Sequence, residues 1–185
     1  MKIGLVGEAP NDTQAIKNLL EKKYSNDKYN FVFMLQRYNG SQLDSQKTKR
    51  FLRIEYEHQK PDIVIFIRDL DSVLPNKSKL YERKNYFSES DRVVDKKGIP
   101  LLHIYEIEAL IFSDIDTFNL QYGTNLQRIV NVMGISEPKE VLKKASKKYN
   151  ESHNPEIFKL LNFDKVMDCN YFERFIKNFE KQINH

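Results

Sequence analysis

The chain has a single cysteine, Cys169, among 185 residues. That excludes an intramolecular disulfide framework and any cysteine-based zinc cluster. Four histidines (His58, His103, His153 and His185) are scattered without metal-ligand spacing. No apolar run approaches the ~18 residues of a membrane span, and no signal peptide opens the chain, so the expected setting is the cytosol without a membrane partner. Internal repeats, low-complexity tracts, long linkers and glycine-rich nucleotide loops are also missing. So is a strong charge excess: 30 basic against 26 acidic residues leave a formal +4. This permits a polyanionic partner without demanding one.

What is present is globular. Hydrophobic residues make up 40% and charged residues 30%, enough apolar material for a real core. The length suits one compact domain of about 100–200 residues. Residues 2–6 read as a short buried strand ending at Gly7, and Asn11 or Asp12 can cap a helix carrying Ile16, Leu19 and Leu20. Aromatic and β-branched residues over 29–35 predict a second strand. A polar helix follows over 42–58, stopped by Pro61. Residues 62–67, Asp-Ile-Val-Ile-Phe-Ile, form the clearest strand, continuously apolar as in a parallel sheet covered on both faces. A helix near 80–95 and a strand over 99–104 complete the alternation, and the pattern is helical from about 106 onwards. Strands alternating with helices predict a doubly wound, mostly parallel α/β sheet. The expected division is an α/β core over 1–122 and a helical extension over 123–185, packed as one unit.

In open parallel sheets ligands bind beyond the carboxyl ends of the strands. There the sequence places Glu8, then Arg68-Asp69-Leu70-Asp71, then Glu106-Ile107-Glu108. Clustered carboxylates repel one another unless a cation joins them, and hard oxygen ligands suit Mg²⁺ or Mn²⁺. On an extended segment Asp69 and Asp71 point the same way and can share an ion. Glu108 falls on the opening turn of a helix. Each acid also has a plainer reading. Asp-x-Asp pairs serve as turn and cap residues, Glu8 as a solvated loop acid, and Glu106 or Glu108 as first-turn charges.

The order Leu5-Val6-Gly7-Glu8 followed by Ile65-Phe66-Ile67-Arg68-Asp69-Leu70-Asp71 resembles TOPRIM domains, the magnesium-binding cores of topoisomerases, primases and overcoming-lysogenization-defect nucleases. The stretch Tyr105-Glu106-Ile107-Glu108-Ala109-Leu110-Ile111-Phe112-Ser113-Asp114 resembles the E-F-E-A-L-L-F-S-D hallmark of a bacterial TOPRIM-like family of unknown function. That family's Ser-Lys basic motif and aromatic C-terminal helix have counterparts in Ser146-Lys147-Lys148 and Tyr171-Phe172-Glu173-Arg174-Phe175. Two departures stand out. The usual Glu-Gly order is here Gly7-Glu8, and Val73 stands where many TOPRIM enzymes carry a third acid.

The resemblance implies a Rossmann-like TOPRIM fold and Mg²⁺- or Mn²⁺-dependent cleavage of nucleic acid, DNA rather than RNA, in an antiphage system with an ABC-type ATPase partner. The oligomeric state stays open, a dimer among the options. Asp69 and Asp71 would hold the ion, and Glu8 would either share it or act as general base on water. Glu108, or Glu106 in its place, would complete the shell, and Lys147 or Lys148 would neutralise the phosphate. On the expected helix 137–148, the pairs Lys143/Lys147 and Lys144/Lys148 share a face suited to a phosphate backbone; the plain alternative is a solvated lysine-rich helix. Arg68 either contacts phosphate or pairs with a neighbouring acid. The 77–97 segment, with seven basic and four acidic residues, is either a guide for nucleic acid or a surface segment. Cys169 and the stripe Phe172, Phe175, Ile176, Phe179 are expected in the core, and His103 is expected as a satisfied core histidine.

Overall fold

A computed structural model describes residues 1–24, 27–74 and 76–184; His185 lies outside them. Four parallel strands, β1 (Lys2–Val6), β2 (Asn30–Phe33), β3 (Ile63–Asp69) and β4 (Gly98–His103), form one sheet in the order β2-β1-β3-β4. The first helices are α1 (Pro10–Leu20), α2 (Gln46–Gln59) and α3 (Lys77–Val93). This is the expected Rossmann-like α/β architecture. Strand order reverses between β1 and β3, so the crevice beyond their carboxyl ends is the topological switch point.

β3 is buried from Ile63 to Arg68, as its continuous apolar run requires of a strand covered on both faces. Its alternate residues serve two cores. Ile63, Ile65 and Ile67 join the larger one with α1 and the C-terminal helices, while Val64 and Phe66 pack with Leu52, Tyr56 and Tyr86 of α2 and α3. The strand runs two residues past the expected end, which puts Arg68 on the second face and Asp69 on the first.

Local chemistry sets the helix ends. Pro10 opens α1 after an extended Ala9, so neither Asn11 nor Asp12 is the cap. Ser45 caps α2 by accepting from the Thr48 amide at 3.1 Å, and Asn76 caps α3 by accepting from that of Lys79 at 3.1 Å. A 3₁₀ turn over Gly40–Asp44 precedes α2, where the sequence pattern implied unbroken helix.

Beyond β4 an eight-residue 3₁₀ helix, Ile107–Asp114, stands where an α-helix was expected. Its three-residue turn stacks Glu108, Ile111 and Asp114 on one face. The remaining helices are α4 (Ile115–Tyr122), α5 (Pro138–Ala145), α6 (Asn154–Leu160), α7 (Phe163–Met167) and α8 (Asn170–Ile183). α6 packs on α1, and α8 on β4. Phe172, Phe175, Ile176 and Phe179 are all buried in the core that also holds Ile3 and Leu5, as is Cys169. Among the described residues no helix is long and apolar enough to cross a membrane.

α5 ends at Ala145, three residues short of the expected 148. Ser146 is extended, and Tyr149 turns into the core, where its hydroxyl donates to Asn154 Oδ1 at 2.8 Å. Lys147 and Lys148 therefore lie on the following turn, exposed, and do not share a helical face with Lys143 and Lys144. Lys143 pairs with Glu151 at 2.7 Å, and Lys148 lines a separate cavity with Tyr122 and His153.

Candidate active site

The carboxyl edge of the sheet gathers the expected acids but sorts them into two sets. Gly7 lets β1 approach α1 closely: a Cβ there would stand 2.7 Å from Thr13 Cγ2. Glu8 emerges directly after it. Glu8 Oε1 accepts from Arg68 Nε at 2.6 Å and from the Asp69 amide at 3.1 Å. Arg68 is 1% exposed, forks onto Asp44 with contacts of 3.2 and 3.1 Å, and lies 4.3 Å from the centre of the Tyr86 ring. Of the two readings of Arg68, the structure takes the ion pair; assignment to nucleic-acid contact is corrected.

Asp71 also departs from expectation. Its φ of +52° is left-handed, so the alternation that would aim it with Asp69 is broken. Its amide donates to the Tyr105 carbonyl at 3.0 Å, and Tyr105 is itself left-handed at φ +69°. Two left-handed residues joined by this hydrogen bond, just past the ends of β3 and β4, carry backbone strain of the kind found in functional loops. Asp71 is exposed, and its carboxylate accepts from Arg83 Nη2 at 2.9 Å. Arg83 Nε donates to the Asp69 carbonyl at 2.6 Å, and the guanidinium lies 3.9 Å from both Glu8 and Asp44. Lys79, one turn earlier on α3, donates to the Asp71 carbonyl at 2.7 Å.

The second set lies on the other face of β3. Burial, then the charges of Asp12, Glu8, Glu108 and Asp71, hold Asp69 well above the usual carboxylate range. Burial and the charges of Glu108 and Glu8 push Asp12 up to about 7, against the opposing pull of Lys139. Glu108 is buried and raised, chiefly by desolvation, although Asn154 Nδ2 donates to it at 2.9 Å. Three acids near one another with so little cationic compensation form the most electrostatically strained group on this edge. Asp12 and Glu108 raise Asp69, and Glu108 raises Asp12, whereas the like charge acting on Glu108 is Glu106; among the described residues no three His, Cys, Asp or Glu side chains stand ready to hold one ion.

Glu106 is committed elsewhere, to Lys139, whose Nζ is 3.1 Å away and whose amide donates at 3.3 Å. Of the two glutamates of this turn, Glu108 is thus the free candidate. The lysine acting on Asp12 and Glu108 is Lys139, not Lys147. His103 is a core residue as expected, but its ring is not fully satisfied. It is 1% exposed and its Nε2 has no partner, while burial pushes its pKa down to about 3 and keeps the ring neutral.

Asp12, Asp44, Arg83 and Lys139 escaped the sequence reading. Asp12 had a usable signal, an acid in the first turn of the helix that follows the first strand. The others had none, because their roles depend on tertiary approach. No family model, curated protein or solved structure matches this chain.

Proposed function

We propose that the protein is a Mg²⁺- or Mn²⁺-dependent nuclease of TOPRIM-like build that hydrolyses nucleic acid phosphodiesters. One observation carries the reading: at the carboxyl edge of the sheet burial holds Asp12, Asp69 and Glu108 above the usual carboxylate range, and the charges of Asp12 and Glu108 add to the rise at Asp69. Acids of this kind, Glu108 buried and Asp12 and Asp69 half-buried, are stabilised by a hard cation. The donors fit Mg²⁺, which keeps several waters and takes one or two carboxylates plus substrate phosphate rather than a closed protein cage. A divalent ion supplies, when bound, charge neutralisation at phosphate and acidification of water.

The chain's own residues do the rest. Asn154 orients Glu108, and Arg83 fixes the Asp69 carbonyl and the Asp71 loop. Lys139 brings positive charge beside the acids, where a phosphate gains from it. Preference for DNA over RNA, an ATPase partner and an antiphage role rest on the family resemblance alone.

A second reading, a catalytically silent subunit that docks on an ATPase, draws on Glu8 and Asp71, both engaged by arginines. One assay separates the two. Folded protein, alone and with its natural partners, is incubated with supercoiled DNA, single-stranded DNA and RNA in Mn²⁺, Mg²⁺ or EDTA. The nuclease reading expects metal-dependent cleavage, lowered about a hundredfold or more in Asp69→Asn. No cleavage of any substrate, or undiminished cleavage by Asp69→Asn, would leave the silent reading standing.

A further inference from the structure

We infer that the cavity walled by Tyr122, His153 and Lys148 takes one unpaired nucleotide of a nucleic-acid strand, its base against the two rings and a phosphate on the lysine. The choice of a strand as occupant rests on the nuclease reading; the cavity lies outside the acids on which that reading stands.

The cavity measures about 420 Å³, within the range of small-ligand sites. Hydrogen bonds build its aromatic wall. Asn150 Nδ2 donates to His153 Nε2 at 3.1 Å, and His153 Nδ1 then donates to the Tyr122 hydroxyl at 2.9 Å. Both ring nitrogens are engaged, so the imidazole offers a ligand its face. The two rings are nearly parallel, with 9° between their planes and centres 6.1 Å apart. Their 2.9 Å contact is shorter than the ~3.5 Å between stacked faces, so they meet edge to edge as one flat surface. Phe118, with its centre 4.6 Å from that of Tyr122, and Tyr149, edge-on at 5.7 Å, fill the core side. Both rings stay half-buried and line the cavity together with Ile157 and the exposed Leu160. A flat, partly apolar wall suits the face of a base, which every nucleotide has.

Charge supplies the second half of the argument. Glu156, the one acid of the lining, pairs with Lys159 at 2.6 Å, whereas Lys148 makes no ion pair among the described residues. The formal balance of these three is +1. An uncommitted cation beside a ring surface matches a base with its phosphate better than a purely apolar ligand. The position favours a strand over a free nucleotide. Asn154, next in the chain after His153, donates to Glu108 at 2.9 Å and accepts from the Tyr149 hydroxyl at 2.8 Å. Tyr149 in turn packs edge-on against both Tyr122 and His153. A strand anchored in the cavity is thereby held beside the Glu108 side of the sheet edge.

The test is binding of a labelled oligothymidylate of about 15 residues to the full-length chain in EDTA. Fluorescence anisotropy reads it at several salt concentrations, and circular dichroism confirms folding. His153→Ala is expected to weaken binding about tenfold or more. Lys148→Gln, at an exposed position that folding tolerates, is expected to weaken it about threefold or more and to flatten the slope of log affinity against log salt by about 0.7. Lys22→Gln, the same charge lost on the exposed residue past the end of α1, should stay within about twofold of wild type. A strand carrying iodouracil should crosslink on irradiation to Tyr122 or His153, located by mass spectrometry. No binding by the wild type, unchanged binding in the folded variants, an equal loss in Lys22→Gln, or crosslinks confined to other residues would overturn the inference. Metal-dependent cleavage abolished in Asp69→Asn would then still uphold the nuclease reading. Thymidine monophosphate displacing the strand at equal nucleotide concentration would overturn the strand as occupant. Binding weakened as expected, without cleavage in Mn²⁺, would uphold the site and remove the nuclease reading.

Discussion

Replacing Asp12 by asparagine removes a carboxylate that the fold keeps against burial and the charges of Glu108 and Glu8. Its pKa rises from 3.8 to about 7. That gap of about three units, at about 1.4 kcal/mol each, sets a ceiling of about 4 kcal/mol on the cost of its ionisation in the metal-free fold. Local relaxation and water entry lower it, and about 2 kcal/mol is the expected value. The sign follows from a folded-state pKa above the unfolded one. Between pH 3.8 and 7 the native state keeps a proton that the unfolded chain has released, so this group makes stability fall as pH rises through that window. Above pH 7 the full penalty is present, and below 3.8 it vanishes. Asp12→Asn is therefore expected to stabilise the metal-free protein by about 2 kcal/mol at pH 8, and to flatten the pH dependence from 5 to 7. The assay is urea denaturation in EDTA at several pH values, repeated with Mn²⁺. Mn²⁺ at a hundred times its Kd adds about 2.7 kcal/mol to the wild type and much less to the variant. A variant less stable than wild type at pH 8, or one with an unchanged pH slope, would refute the reasoning.

Arg68→Met leaves Glu8 and Asp44 without their buried partner and is expected to cost about 3 kcal/mol, read from the urea midpoint. Arg68→Lys should recover only part of it, because an ammonium cannot reproduce the fork onto Asp44. Asn154 is fully buried between Glu108 and Tyr149. Asn154→Leu is expected to lower stability by about 2 kcal/mol and Mn²⁺ affinity about tenfold, by denaturation and calorimetry. Lys139→Met should destabilise the metal-free protein more at pH 8 than at pH 5, because Lys139 offsets the ionised Asp12; Lys147→Ala on the exposed turn should stay within about 0.5 kcal/mol of wild type.

Much of the architecture was readable from the order of residue types. The run Ile63–Ile67 announced a doubly covered parallel strand, and Glu8, Asp69 and Glu108 fell at strand ends because chain order and strand direction determine that much. Side-chain direction was harder. The Asp69/Asp71 alternation assumed an extended chain, and the left-handed Asp71 breaks it. The lysine pairs of 143–148 assumed an unbroken helix, which burial of Tyr149 interrupts. Arg68, polar in sequence, is among the most buried side chains, since Asp44 and Tyr86 arrive from elements distant in the chain. No local pattern announces such partners. The same holds for Lys139, brought to Glu106 by the packing of α5 against the 3₁₀ helix.

The most direct test is a crystal grown or soaked with Mn²⁺ and measured for anomalous scattering. The expected result is a peak at the carboxyl edge of the sheet, beside Asp69. No peak at that edge would contradict it.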